Sequence, residues 1–166
     1  MVARIALVAL VDAEGRVLVH LHDEQAPTRP NRWSLPGAPI ARGETPADAA
    51  RRVAADVAHV PVAGTLEEFW SGYVPGYPIA TFAYCARTTA TPDDVAAVVD
   101  ISPAGELPAP TRVTKEFLTA DEVQGGGRPF TLASGYALAR LVESPLYHRL
   151  TPAIGPYLPY LPPGVE

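Results

Sequence analysis

Apolar and polar positions alternate along the chain in a way that predicts strands first, then a helix, then further strands. Two β-like runs, residues 4–11 and 16–22, flank Asp12-Ala13-Glu14-Gly15. That is hairpin chemistry, turn formers ending in a glycine able to take positive φ. Residues 23–32 are polar and carry Pro27 and Pro30, which predicts a loop, and Trp33-Ser34-Leu35 predicts a short strand running into Pro36-Gly37. The clearest helix start is Thr45-Pro46-Ala47-Asp48: Thr45 can cap, Pro46 suits the first helical position, and Asp48 stands where a capping-box acid reaches back. The helix is expected to run to about residue 58, before Pro61, with Ala49, Val53 and Val57 recurring every four residues.

Two more strands are expected at 65–74 and 79–88, joined through Pro75-Gly76-Tyr77-Pro78. Residues 91–110 are ambiguous; 96–101 fits a strand and the rest a Pro-broken loop. Residues 112–118 predict a strand and 119–123 a helical turn. After Gly125-Gly126-Gly127, residues 131–143 predict an amphipathic helix whose apolar positions are Leu132, Tyr136, Ala139 and Val142, with Leu138 and Leu141 alongside. The last sixteen residues hold five prolines and predict an irregular arm packed on the body or on a partner. The expected organisation is one domain, residues 1–150, followed by the Pro-rich tail 151–166.

Composition narrows the function classes. A chain of 166 residues has room for one domain of ordinary size. Thirteen basic and eighteen acidic side chains give a net charge of −5, which argues against nucleic-acid binding through a general positive field. Twelve of the thirteen basic residues are Arg, beside 27 Ala and 19 Pro, a pattern of coding bias that leaves a lone Arg little functional weight. The single cysteine, Cys85, excludes an internal disulfide and a multi-cysteine zinc site, and in a β-run it is expected to be a small core residue. The apolar run Ile5 to Val11 is too short to span a bilayer and ends at Asp12 without a cleavage signal. A soluble cytoplasmic protein without membrane or nucleic-acid partners is the expectation.

The segment Leu35-Pro36-Gly37-Ala38-Pro39-Ile40-Ala41-Arg42-Gly43-Glu44-Thr45-Pro46, followed by a capped helix containing Arg52, resembles the Nudix hydrolase signature. The flanks agree: a hairpin before it, a Trp-x-Leu-Pro-Gly entry, and a β-rich segment after it. The resemblance spans residues 4–143, with its specific part at 33–60. It implies an α/β fold, a Nudix-type α/β/α sandwich with a mixed β-sheet. Aligned on Glu44, the family's first glutamate, Arg52 takes the family's arginine. Val53 replaces the next glutamate, Asp56-Val57 the Glu-Glu pair, His59 the late glycine, and Ala38 the opening glycine. The box is therefore degenerate.

In typical members the helix glutamates hold Mg²⁺ or Mn²⁺ on a diphosphate, so the resemblance implies a divalent cation and hard oxygen ligands. Positions 53 and 57 share one helix face, which here carries two isopropyl groups. Two readings of the remaining residues stand side by side. In one, Glu44 and Asp56 form a reduced metal site completed by Glu116 (Glu67 and Glu68 being next in line), with Glu44, Arg52 and Asp56 as the catalytic group. In the other, Glu44 braces the loop to the helix, and Asp56 is the i+4 ion-pair partner of Arg52.

Trp33, Trp70, Tyr73 and Tyr77 are expected near the box entry, where Nudix-like folds supply aromatic faces. Trp33, Arg42, Trp70 and Tyr73 are the substrate-binding candidates, and Arg32, Arg42 and Arg52 offer bidentate contacts to phosphate. His20 and His22 share a strand face, and serve either as a ligand or base pair at a pocket edge or as ordinary half-buried histidines. Gly125-Gly126-Gly127-Arg128 lacks the Lys-Ser/Thr of a phosphate loop and is a connector.

The resemblance implies a hydrolase of a nucleoside-diphosphate-linked or similar phosphorylated small molecule, with reduced activity because two helix acids are gone. The alternative is a non-catalytic domain that binds a nucleotide or metabolite as a sensor or accessory subunit. A homodimer fits the family habit and the Pro-rich tail.

Overall fold

A computed structural model describes residues 3–22, 31–95, 99–101 and 111–150. Residues 23–30 of the expected loop, residues 96–98 of the expected strand, the Pro-broken part 102–110 and the tail 151–166 lie outside the described residues. The hairpin expected from the sequence is β1 (Arg4–Val11) and β2 (Val17–His22). In its turn, Asp12 Oδ1 accepts from the backbone N–H of Glu14 and Arg16, while Arg16 Nε donates to Asp12 Oδ2 at 2.8 Å. β1 is apolar on both faces because both are covered: Leu7, Ala9 and Val11 point to one core, Val8 and Leu10 to the other.

The other strands are β3 (Trp33–Ser34), β4 (Gly37–Pro39), β5 (Ala63–Tyr73), β6 (Ala80–Arg87), β7 (Val99–Ile101) and β8 (Thr111–Leu118). The path through the sheet is β5-β6-β1-β2-β8-β7, with β3 on β2 and β4 on β1. The β1–β6 pairing is parallel and the remainder antiparallel, so the sheet is mixed.

One detail of this topology positions the site. β1 runs beside β6 along its whole length, from Arg4↔Ala80 to Val11↔Arg87, yet meets β2 only at Val11↔Val17. Beyond the hairpin turn β1 and β2 diverge. β4 fills the free edge of β1 (Ile5↔Pro39 to Leu7↔Gly37) and β3 that of β2 (His20↔Ser34, Leu21↔Trp33). The fork is tight at Gly37: a Cβ there would lie 2.6 Å from Leu7 Cδ2, whose side chain would have to shift, and 3.0 Å from the Ala6 carbonyl oxygen.

Helices cover both faces. On one side lie α1 (Pro46–Val53) and its continuation, packed through Ala50, Val53, Ala54 and Ala58 against Val8, Leu10, Leu18 and Tyr84. On the other lie α4 (Leu132–Glu143) and α5 (Pro145–Leu150), packed through Ala137, Leu138, Leu141 and Leu146 against Ala9, Val17, Val19 and Cys85. Two short helices, α2 (Pro92–Val95) and α3 (Ala120–Gln124), flank β7 and follow β8. The α/β/α sandwich is therefore the observed architecture. Among the described residues no helix is long and apolar enough to cross a membrane.

The helices depart from expectation in three places. α4 is rotated: Leu132 is 56% exposed and Ala139 is exposed, while Ala133, Ala137, Leu138, Leu141 and Val142 are buried. The stripe that packs on the sheet is the one that combines Leu138 and Leu141 with the small Ala133 and Ala137. α5 was not expected. It starts at Pro145, where the Ser144 hydroxyl oxygen accepts from the Leu146 N–H, and it buries Leu146 and Tyr147, whose hydroxyl donates to the Gly15 carbonyl at 2.7 Å.

The third departure is in the helix after Thr45. Thr45 caps it as expected, accepting from the Asp48 N–H, but Asp48 pairs with Arg51 instead of reaching back. After Val53 the helix widens into a π-helical turn, Ala54–Ala58, and stops at His59 with φ 56°. A left-handed residue with a Cβ costs about 1 kcal/mol. His59→Gly should therefore raise stability by up to about 1 kcal/mol, read as a higher urea midpoint at unchanged slope. A lower midpoint would mean that the imidazole itself holds the turn.

Candidate functional site

The fork between β1 and β2 opens into a cleft of about 430 Å³. Ile5 and Leu7 contribute from β1, His20 from β2, and Ser34 to Pro39 form the floor supplied by β3 and β4. Val57 enters from the π-helical turn, Tyr77 and Ile79 from the β5–β6 connection, and Thr131, Ala133 and Ser134 from the start of α4. Among these lining residues there is no Asp, Glu, Lys or Arg. His20 is 2% exposed.

The helix face that carries acids in the family's box points to this region. Val53 has no exposed surface and belongs to the core under α1, whereas Val57, one turn on, is half-buried and lines the cleft. The two valines share a face as their spacing requires, but only the second reaches the cleft.

Glu44 and Arg52 do come together. Arg52 Nε donates to Glu44 Oε2 at 2.9 Å and Nη2 to Oε1 at 2.9 Å, a bidentate pair. The same Nη2 donates to the Pro39 carbonyl at 2.8 Å, and the Ala41 N–H donates to Glu44 Oε1 at 2.9 Å. Glu44 thus ties the loop to the helix with both oxygens engaged. The Arg52 hydrogen bonds, then the Ala41 N–H, hold its carboxyl down at about 2 against a smaller opposing effect of burial.

A carboxylate lowered in the fold contributes stability above its unfolded pKa, and that contribution disappears as pH falls toward the folded value. Wild type should therefore lose this increment between about pH 4.5 and pH 2. Glu44→Gln should be less stable at pH 7 and show a flatter decline across that window in thermal melts. Parallel wild-type and variant curves would remove the ion pair from the account.

The remaining expected site residues are scattered. Asp56 is exposed, and although its charge reaches Arg52, the guanidinium bonds Glu44, so the anticipated Asp56–Arg52 pair is not formed. Glu116 stands opposite Val19 on β8 and accepts from Arg128 Nη2 at 2.8 Å. Val19 belongs to the core under α4, so Glu116 lies on the sheet face away from α1 and the structure does not bring it to Glu44 and Asp56. Glu67 and Glu68 are exposed on β5.

Trp33 is buried with Arg128 stacked 5.2 Å from its ring, and Trp70 packs on Tyr136 at 5.1 Å. Arg32 and Arg42 are exposed, and Tyr73 is 57% exposed at the end of β5. Of the four aromatics only Tyr77 lines the cleft. His22 is in β2, with its side chain outside the described set. Cys85 is buried, which pushes its thiol up to about 12 and leaves it unreactive.

The donor set does not fit a divalent cation. Hard cations need several convergent oxygens. Here one helix acid position is core, the next is an isopropyl group, Glu44 is bound to Arg52, and Glu116 is across the sheet. Among the described residues no three His, Cys, Asp or Glu side chains gather as a metal site.

Sequence reasoning missed the polar groups that do line the cleft, Ser34, Thr131 and Ser134. Thr131 carried a signal as the residue before a helix. Ser134 carried none, because its partner, the Leu35 N–H donating to its Oγ at 2.9 Å, is 99 residues away.

No family model matches the sequence, and no curated protein matches it significantly. Solved structures do match in fold. DR0079 from Deinococcus radiodurans superposes with a TM-score of 0.56 at 16% identity, over 83% of this chain and 82% of that one. RenU, a Nudix hydrolase from M. Smegmatis, gives 0.54 at 19% over 84% of both chains. An ADP-ribose pyrophosphatase from Streptococcus suis 89-1591 gives 0.57 at 15% over 86% and 91%. The chain has the fold of Nudix hydrolases.

Proposed function

We propose that this Nudix-fold chain takes a phosphorylated small molecule, of the nucleoside-diphosphate-linked class, into the fork cleft, and that hydrolysis by the standard divalent-metal route is weak or lost. The observation that supports this most directly is Val57: it occupies the cleft wall where a carboxylate is expected, and no acid stands among the described lining residues. Glu44 adds to it, since a carboxylate committed to Arg52 and Ala41 must break three hydrogen bonds before it can serve a cation. On this reading the chain is a sensor or accessory binder.

A second reading keeps turnover, with Glu44, Arg52 and Asp56 as the catalytic group and Mg²⁺ or Mn²⁺ as cofactor. The pyrophosphatase among the structural neighbours favours it and makes ADP-ribose the first substrate to try. A thermal-shift titration with ADP-ribose and nucleotides, in EDTA and in Mn²⁺, separates the two. Stabilisation in EDTA, with no phosphomonoester products (AMP and ribose 5-phosphate from ADP-ribose) when Mn²⁺ is supplied, is the expected result. Metal-dependent stabilisation with brisk cleavage, abolished by Glu44→Gln and Asp56→Asn, establishes the second reading instead. No stabilisation by any ligand overturns the binding role.

A further inference from the structure

We propose that the start of α4 forms an anion subsite inside the cleft, one that holds a phosphoryl or carboxylate group without a metal; this rests on the reading of the cleft as a ligand site. Helix α4 runs for twelve residues and begins in the cleft wall, where Thr131, Ala133 and Ser134 are lining residues. The first intrahelical bond is the Gly135 N–H to the Thr131 carbonyl at 2.8 Å. The N–H groups of Leu132, Ala133 and Ser134 precede it and have no carbonyl within the helix to serve, so the helix presents donors and the positive end of its dipole.

The independent observation is Thr131. It holds the N-cap position, where a threonine hydroxyl ordinarily accepts from the first turn, yet its side chain makes no such bond. It is only 9% exposed, and its hydroxyl has no hydrogen-bond partner among the described residues. The hydroxyl oxygen itself still reaches solvent at the cleft, so it offers a donor and an acceptor that a ligand can take over from water.

The end is also fixed in place. The Trp33 N–H donates to the Pro129 carbonyl at 2.8 Å and the Thr131 N–H to the Trp33 carbonyl at 2.9 Å, while Ser134 Oγ takes the Leu35 N–H. These bonds anchor the helix start to β3, so the donors need no rearrangement to receive a ligand. Among the described residues no acid lines the cleft to repel an anion, and no Lys or Arg there offers a competing countercharge. The apolar remainder, Ile5, Leu7 and Val57, suits an uncharged body attached to the anionic group.

The test uses the whole chain in EDTA, with amide chemical shifts read by NMR during titration with phenyl phosphate, benzoate and, as the neutral control, benzyl alcohol. The expected result is selective shifts of residues 132–135 by one or both anions, phenyl phosphate and benzoate distinguishing the phosphoryl from the carboxylate case. Thr131→Val should weaken that anion about tenfold, and Thr131→Ser should restore it. Equal shifts with benzyl alcohol overturn the anion subsite while leaving cleft binding intact. Anion shifts confined to other surfaces, an absolute need for Mn²⁺, or unchanged affinity in a folded Thr131→Val also overturn it. Failure of the cleft reading itself shows separately, as the absence of any response to ADP-ribose.

Discussion

Val53→Glu should cost the domain about 3–5 kcal/mol, or prevent folding outright, while Val57→Glu should leave it folded. Both changes place a glutamate where the resemblance to the Nudix signature expects one, and the spacing alone treats them alike. The structure separates them. Val53 has no exposed surface and packs with Val8, Leu10, Leu18 and Ala50, so a carboxylate there meets hydrocarbon on every side and no cation to pair with. Val57 faces the cleft, where water can reach a new carboxylate. Urea denaturation of both variants checks the pair. A Val53→Glu protein as stable as wild type would mean that α1 can turn its face outward, and the assignment of position 53 to the core would fall. Building a metal site into this scaffold therefore has to begin at position 57.

Lys115→Ala should be nearly as damaging, with a loss of about 2–3 kcal/mol. Lys115 is 6% exposed, and its Nζ donates to the Ala58 carbonyl at 2.7 Å, tying β8 to the end of the π-helical turn. Truncation removes the packed stem and leaves a buried carbonyl without its donor. Lys115→Met should recover most of the packing but not the hydrogen bond, and should fall between the two. Burial also lowers the lysine's pKa from its usual 10.5. The unfolded chain then holds this proton more tightly than the folded one, so this group's contribution to stability rises as pH climbs through the lowered pKa toward 10.5. The buried Cys85 thiol and Tyr84 phenol, both pushed up, act in the opposite direction over the same range. The difference between wild type and Lys115→Met isolates the lysine: it should change in favour of wild type as pH rises. A difference independent of pH would mean that Lys115 is not penalised by burial.

Much of the fold was legible because its signals are local. The hairpin rests on Asp12 and Gly15, the box helix on Thr45 and Pro46, and β5, β6 and β8 on their own β-rich runs; each carries its cause within a few residues. The face of α4 was not legible, because Leu132 and Ala139 fit an apolar stripe as well as Ala133 and Ala137 do, and the choice lies in which stripe packs on the sheet. At the site, Glu44 as a brace between loop and helix was one of the two readings, but its partner was not legible: spacing pairs Arg52 with Asp56 at i+4, and only the fold turns the guanidinium to Glu44. The isolation of Glu116 was not legible either, because it depends on which face of β8 meets α4.

The sequence by itself determined the β1–β2 hairpin, the capped helix after Thr45, the long later strands and the helix before Glu143, since these are properties of residue type and near neighbours. Only the tertiary structure decided that Val53 is core and Val57 cleft, that Glu44 spends its oxygens on Arg52, and that Thr131 and Ser134 stand in one wall with Leu7 and His20. Those facts depend on β1 and β2 parting after a single shared pair and on β3 and β4 filling the fork, an arrangement made by hydrogen bonds between segments far apart in the chain.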